Sequence, residues 1–309
     1  MTPLIEVARL SKQYKDLKAV NDLSFTVPQG AVYGFLGQNG AGKSTTIRML
    51  LTLIRPTSGS IKLFGKELQT NRHTILSQVG AIIEKPDGYK YLTAYQNLQI
   101  LAKLSGLKPS QETLMRQLET VGIADRAHSK VKTFSQGMKQ RLGIACALIH
   151  NPQLVILDEP TNGLDPQGIA DIRNLILHLS KNEGKTILIS SHLLSEIELI
   201  ADSMLIIDKG QKVVEGTVGE LMNPADTLVE LQTADNAATL KALQDSSWAT
   251  HLQESKEAIV MRLHRDRVPE LTRSLIAMNV QVLSIHPRHS LEDYFLSLTR
   301  NTHADPAAN

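Results

Sequence analysis

The run Gly37-Gln38-Asn39-Gly40-Ala41-Gly42-Lys43-Ser44 has the spacing G-x-x-x-x-G-K-[ST], and it follows the apolar stretch Val32 to Leu36 without a break. Strand, glycine turn and helix must therefore succeed one another here, which commits this part of the chain to an α/β unit. The helix is expected to carry Ile47, Met49, Leu50 and Leu53. Glycines let backbone amides curl around phosphate oxygens, and the helix adds the positive end of its dipole. Lys43 is placed to reach the β- and γ-phosphates of a nucleotide, and Ser44 to reach Mg²⁺. Gly37, Gln38, Asn39, Gly40, Ala41, Gly42, Lys43, Ser44 and Thr45 form the candidate nucleotide-binding set. Two Gly, a Lys and a Ser or Thr at these offsets arise by chance in roughly 1% of chains this long, and the flanking strand and helix lower that further.

A second apolar run, Leu154 to Leu157, ends in Asp158 and Glu159. If it lies beside the phosphate loop, Asp158 holds Mg²⁺ through water and Glu159 accepts a proton from attacking water. An acid pair ending a strand also serves as a helix cap or a solvated turn. The phosphate loop in the same chain favours the catalytic role.

With 309 residues the chain exceeds what one core usually supports, so two folded units are expected. The first spans residues 1–224 and contains a helical insert over about 91–150. There Thr93 and Gln96 form a capping box, Leu114, Leu118 and Val121 mark a second helix, and a third runs from Ser135 to Ile149. Strands return at Leu154 and at Thr186, a helix spans Gly168 to Ser180, and Met204 to Glu215 reads as a hairpin. Residues 225–301 alternate strand and helix in a βαββαβ-like order with a last helix from Leu291 to Leu298. The polar tail 302–309 is expected to be disordered. Lys plus Arg is 33 against 31 for Asp plus Glu, so bulk charge makes no case for nucleic acid or an acidic membrane. The single Cys146, in apolar surroundings, reads as a small buried hydrophobe in a reducing compartment. No run approaches the ~18 apolar residues of a membrane span, and Glu6 and Arg9 interrupt the first apolar segment, unlike a signal peptide.

Taken together, the phosphate loop, Ser135-Gln136-Gly137-Met138, Asp158-Glu159-Pro160-Thr161, Gly163-Leu164-Asp165 and His192 resemble, in type and order, the motifs of ABC transporter ATPase subunits over about Leu4 to Gly219. The resemblance implies an α/β P-loop NTPase of ABC type with a helical insert, followed by a small α+β domain. It implies ATP and Mg²⁺ as ligands, with Ser44, Glu84 and Asp158 on the metal and Glu159 and His192 as catalytic residues. It also implies a homodimer formed on ATP binding, each ATP lying between one chain's phosphate loop and the other's signature. By position, Tyr14 resembles the aromatic that stacks on adenine, and Ser135 and Gly137 the signature residues facing the γ-phosphate across the dimer. Asp165 resembles the loop acid at the dimer interface, and His192 the switch histidine at the γ-phosphate. Simpler roles remain open: Tyr14 packing a strand end, Ser135 and Asp165 capping helices, His192 an ordinary surface residue.

The chain departs from the family at two places. Its signature is Phe134-Ser135-Gln136-Gly137-Met138 where Leu-Ser-Gly-Gly-Gln is usual, and Glu84 stands where a Gln usually follows the strand Val79 to Ile83. Both variants resemble the drug and bacteriocin-immunity exporter branch, whose ATPase is a separate chain working with a membrane permease. Tyr89, Tyr91 and Tyr95 cluster where that family receives the permease's coupling helix, with core packing under the helical insert as the alternative role. The implied location is cytoplasmic, peripheral on the inner face of the cell membrane, with no nucleic acid partner. The alternative is a soluble ABC ATPase acting on ribosomes or DNA, but such chains usually carry two ATPase halves or a long coiled coil. An ATP-dependent module with little turnover would not need Glu159 and His192.

Overall fold

Strand Val32–Leu36 (β3) is buried at all five positions, and so are Leu154–Asp158 (β7) and Thr186–Ser191 (β8) along their lengths. Continuous Val, Ile and Leu runs of this kind suit a parallel sheet covered on both faces. In the computed structural model, which describes residues 3–84, 86, 88–221, 227–253 and 258–288, these strands form the middle of a six-stranded sheet. Gln211–Thr217 (β10) and Ser203–Asp208 (β9) flank β3 on one side, and Val79–Ile82 (β6) lies beyond β7 on the other. All neighbours are parallel except β9 and β10, which form the expected hairpin.

A second, four-stranded antiparallel sheet packs nearby. It consists of Pro3–Tyr14 (β1), Leu17–Pro28 (β2), Ser58–Leu63 (β4) and Lys66–Glu67 (β5), in the order β2-β1-β4-β5. Helix Lys43–Leu50 (α1) contributes Ile47, Met49 and Leu50 to one core with Ile5, Phe25, Tyr33, Phe35, Leu63, Ile156 and Leu205 from the two sheets. Phe25 stacks on Tyr33 and Phe35, with centroids 6.1 and 5.5 Å apart. Helix α1 is shorter than the apolar spacing suggested. It ends at Leu50, Thr52 turns the chain at φ 58°, and Leu53 is left 60% exposed instead of lying on a buried helix face.

Between short helix Arg72–Leu76 (α2) plus β6 and strand β7 lies the insert, built from Ala94–Leu104 (α3), Gln111–Thr120 (α4) and Gln136–Leu148 (α5). The capping box is present: the Thr93 hydroxyl accepts from Gln96 N at 3.1 Å, and Gln96 Oε1 accepts from Thr93 N at 2.9 Å. Helix α5 lies so close to β6 that a Cβ on Gly80 would sit 2.1 Å from the carbonyl oxygen of Ala147. Helices Pro166–Lys181 (α6) and Leu194–Glu198 (α7) complete this unit. Cys146 is half-buried on α5, and burial pushes its thiol up to about 12, so it stays protonated and inert at neutral pH.

The chain divides between Thr217 and Val218, ahead of the boundary expected at 224, because β10 stays paired with β9 through Thr217. The second unit contains Val218–Leu221 (α8), Thr227–Thr233 (β11), Asn236–Gln244 (α9), Leu252–Gln253 (β12), Ile259–Leu263 (β13), Val268–Ala277 (α10) and Val282–Arg288 (β14). Its sheet is antiparallel in the order β12-β13-β11-β14, and Val229, Leu231, Trp248, Met261, Leu271 and Leu275 form its own core. The expected helix 291–298 and tail 302–309 lie outside the described residues. Among the described residues no helix is long and apolar enough to cross a membrane.

Gly80→Ala should destabilise the first unit by about 1–3 kcal/mol, because the backbone of α5 must move to admit a methyl group. Urea unfolding of the two proteins measures the difference.

Candidate active site

The phosphate loop leaves β3 and enters α1 through Gly42, which has φ 106° and would bring a Cβ to 2.6 Å from the carbonyl oxygen of Ala19. Glycine is required there on both counts. The turn places Lys43 at the helix start with 5% of its surface exposed. Its ammonium donates to the carbonyl oxygens of Gly37 at 2.7 Å and Gln38 at 3.2 Å, and pairs with Glu159 Oε1 at 3.3 Å. Two carbonyl hydrogen bonds and one ion pair thereby offset the cost of burying this cation.

The two acids at the end of β7 are held from β8, whose register sets Asp158 opposite Ser190. The Ser190 hydroxyl donates to Asp158 Oδ1 and accepts from the backbone N–H of Glu159 at 3.0 Å, so one side chain orients both acids. Asp158 is 3% exposed. Glu159 is in the left-handed region at φ 48°, a strained backbone of the kind that persists where the surroundings over-determine it. Its carboxylate is approached by His192 Nδ1 at 3.1 Å and by Asn162 Nδ2 at 3.3 Å, in addition to Lys43.

Ser44, Glu84, Asp158 and Glu159 line one cleft of about 630 Å³, together with Gln136, Gln140, Asn162 and Gly163. Three carboxylates in one cleft repel one another unless each has a donor, and each does. Glu84 pairs with Arg48 of α1. The oxygens of Ser44, Asp158 and Glu84 are hard donors that suit Mg²⁺, and among the described residues no group of three or more His, Cys, Asp or Glu forms a closed cage. That combination fits a metal held by one or two carboxylates and the phosphates of its nucleotide.

The remaining expected residues do not line this cleft. Ser135 caps α5, accepting from Met138 N at 3.3 Å, and Asp165 caps α6, accepting from Gly168 N at 2.9 Å. Gly137 lies in the first turn of α5, with Leu164 as the nearest neighbour of a would-be Cβ. Tyr14, at the end of β1, is 43% exposed, with the Lys12 ammonium 4.9 Å from its ring centroid. Ser190, Asn162, Arg48 and Gln140 carry no sequence signal that marks them for this site, and Gln136 enters it as the variant residue of the signature. Ser190 has no local signal, because only the register of two strands brings it to Asp158. Gln140 is 5% exposed, and its buried Nε2 has no hydrogen-bond partner among the described residues.

The ABC transporter family profile matches residues 20–162. The bacitracin transport ATP-binding protein BcrA of Enterococcus faecalis is 42% identical over 299 residues, covering 96% of this chain and 97% of that protein. The lantibiotic transport ATP-binding protein SrtF of Streptococcus pyogenes is 44% identical over 212 residues, or 69% of this chain and 90% of its own. A solved ATP-binding subunit of an ABC transporter superposes with a TM-score of 0.62 at 35% identity, covering 71% of this chain and 91% of that one. A phosphate-loop lysine and a histidine meet at the second acid of a strand that ends in two, in a chain whose likeness to one transport ATP-binding protein runs over 96% of its length, and this places it among the ATP-binding, ATP-hydrolysing subunits: the chain belongs to the ABC transporter family.

Proposed function

We propose that the chain is the motor subunit of an exporter for peptide-like or drug-like compounds, hydrolysing ATP in the Lys43–Asp158–Glu159 cleft to drive a separate membrane permease. The observation that carries the chemistry is the position of Glu159, held between Lys43 and His192 at the end of the strand beside β8, which in turn pairs with the phosphate-loop strand. The link to export rests on likeness to the bacitracin and lantibiotic transport proteins.

In this structure the Lys43 ammonium is paired with the Glu159 carboxylate. Arriving β- and γ-phosphates offer Lys43 a stronger partner. The ammonium moves to them, and Glu159 keeps His192 and Asn162. Glu159 then takes a proton from water as the water oxygen attacks the γ-phosphorus and the bond to the β-bridging oxygen breaks, releasing ADP and phosphate. Bound Mg²⁺, held by Ser44, Glu84 and Asp158, would neutralise charge on the phosphate oxygens. Tyr14 supplies an exposed ring for adenine. Ser135, Gly137 and Asp165, outside the cleft, are left for the second chain of an ATP-dependent homodimer.

Permease docking belongs to the insert. Tyr89 and Tyr91 are 60% and 81% exposed, while Tyr95 packs against His128. A mainly apolar groove of about 360 Å³ between β6, α3 and α5, lined by Ile82, Ile83, Leu101 and Leu142, offers a seat for a permease helix. Docking there places the chain on the cytoplasmic face of the membrane.

Glu159→Gln should bind ATP, lose most hydrolysis and accumulate as an ATP-bound dimer, since an amide accepts no proton from water. Sedimentation with ATP showing a monomer refutes the dimer. Lys43→Ala should lose nucleotide affinity, and unchanged binding in a fluorescent-nucleotide titration contradicts its assignment. A chain ending at Thr217 should keep the nucleotide affinity of the full chain, because no phosphate-contacting motif lies in the second unit. Loss of affinity in a truncated protein that retains its circular dichroism rejects that independence.

A further inference from the structure

Glu84 places a carboxylate in a cleft that already holds Asp158 and Glu159. Asp158 is satisfied by Ser190, and Glu159 by Lys43, His192 and Asn162. Glu84 has a different arrangement. Its carboxylate is met by the guanidinium of Arg48, from the last turn of α1, and by no other side chain among the described residues. Arg48 lies four residues after Ser44, so the two project from the same face of the phosphate-loop helix. Glu84 itself has φ 61° at the point where the chain leaves β6 for the insert. The pair therefore ties the nucleotide helix to the root of the insert, within reach of the oxygens assigned to the metal.

We propose that Arg48 is the positioning residue for Glu84: its guanidinium holds the carboxylate while no metal–nucleotide is bound and gives it up when the metal enters. The inference rests on the cleft being the nucleotide site. A neutral carboxamide at position 84 would need no counter-charge, whereas a carboxylate beside two others and a triphosphate does. Arg48 supplies it, and the pair is exposed enough, at 38% and 64% of the side chains, to open without a large desolvation cost. Because Arg48 and the metal compete for one carboxylate, opening the pair is part of metal binding, and the same event loosens α1 from the start of the insert.

The test is a Mn²⁺ titration, followed by electron paramagnetic resonance, of the full chain loaded with a non-hydrolysable ATP analogue. Arg48→Met should lower the half-saturating Mn²⁺ concentration by about 3-fold, the scale of an exposed charge pair. Arg48→Lys should stay near the parent value, and Glu84→Gln should raise it. In the Arg48→Met/Glu84→Gln protein the Arg48 change should have no further effect. If Arg48→Met shifts Mn²⁺ affinity equally with Glu or Gln at position 84, the residue acts only through the general field, and the proposal is overturned. It is equally overturned if Arg48→Met has no effect in either background. Failure of the unmodified protein to bind the analogue at all would instead overturn the nucleotide site itself.

Discussion

A buried ammonium is tolerable in a protein interior only where its charge is compensated, and the Lys43 side chain meets that condition with hydrogen bonds to two loop carbonyls and an ion pair to one carboxylate. Much of the first unit is arranged around this fact. The loop must curl tightly enough to aim the carbonyls of Gly37 and Gln38 inward, which needs glycine at the crowded, positive-φ position 42. Strand β7 must end level with the loop so that Glu159 arrives from the other side, and the parallel register through β8 delivers that alignment.

The same contacts make the resting site self-neutralising. Lys43, the residue that would bind phosphate, is occupied with the residue that would activate water, so neither function is fully expressed until phosphate separates them. In the proposed mechanism, a carboxylate and a triphosphate compete for one cation, which would link cleavage to occupancy. The Arg48–Glu84 pair repeats this logic at the far side of the cleft, with a guanidinium in place of the ammonium. Both pairs join an element of the nucleotide loop to one that leads outward: Glu159 toward α6, and Glu84 toward α3 and the exposed tyrosines. On the proposed reading, a change of charge in the cleft would reach the root of the surface assigned to the permease.

The second unit has its own four-stranded sheet and its own core, with Trp248 buried and the Arg267 guanidinium 4.7 Å from its ring centroid. The residues proposed to handle nucleotide all precede this unit.

Most of what is legible in the amino-acid order is carried by local spacing. The phosphate loop, the capping box at Thr93 and Gln96, the caps at Ser135 and Asp165 and the buried strands are short-range patterns whose physical cause lies within a few residues. The end of α1 is not legible in this way, since Leu53 keeps the helical period while Thr52 has already turned the chain out of it. Tertiary structure alone decided which distant side chains meet. Ser190 reaches Asp158 through strand register, and Arg48 reaches Glu84 because α1 passes the root of the insert. No periodicity encodes either contact, because a pairing across the sheet depends on where strands stop and helices lie, and those positions are fixed by the packing of the whole core.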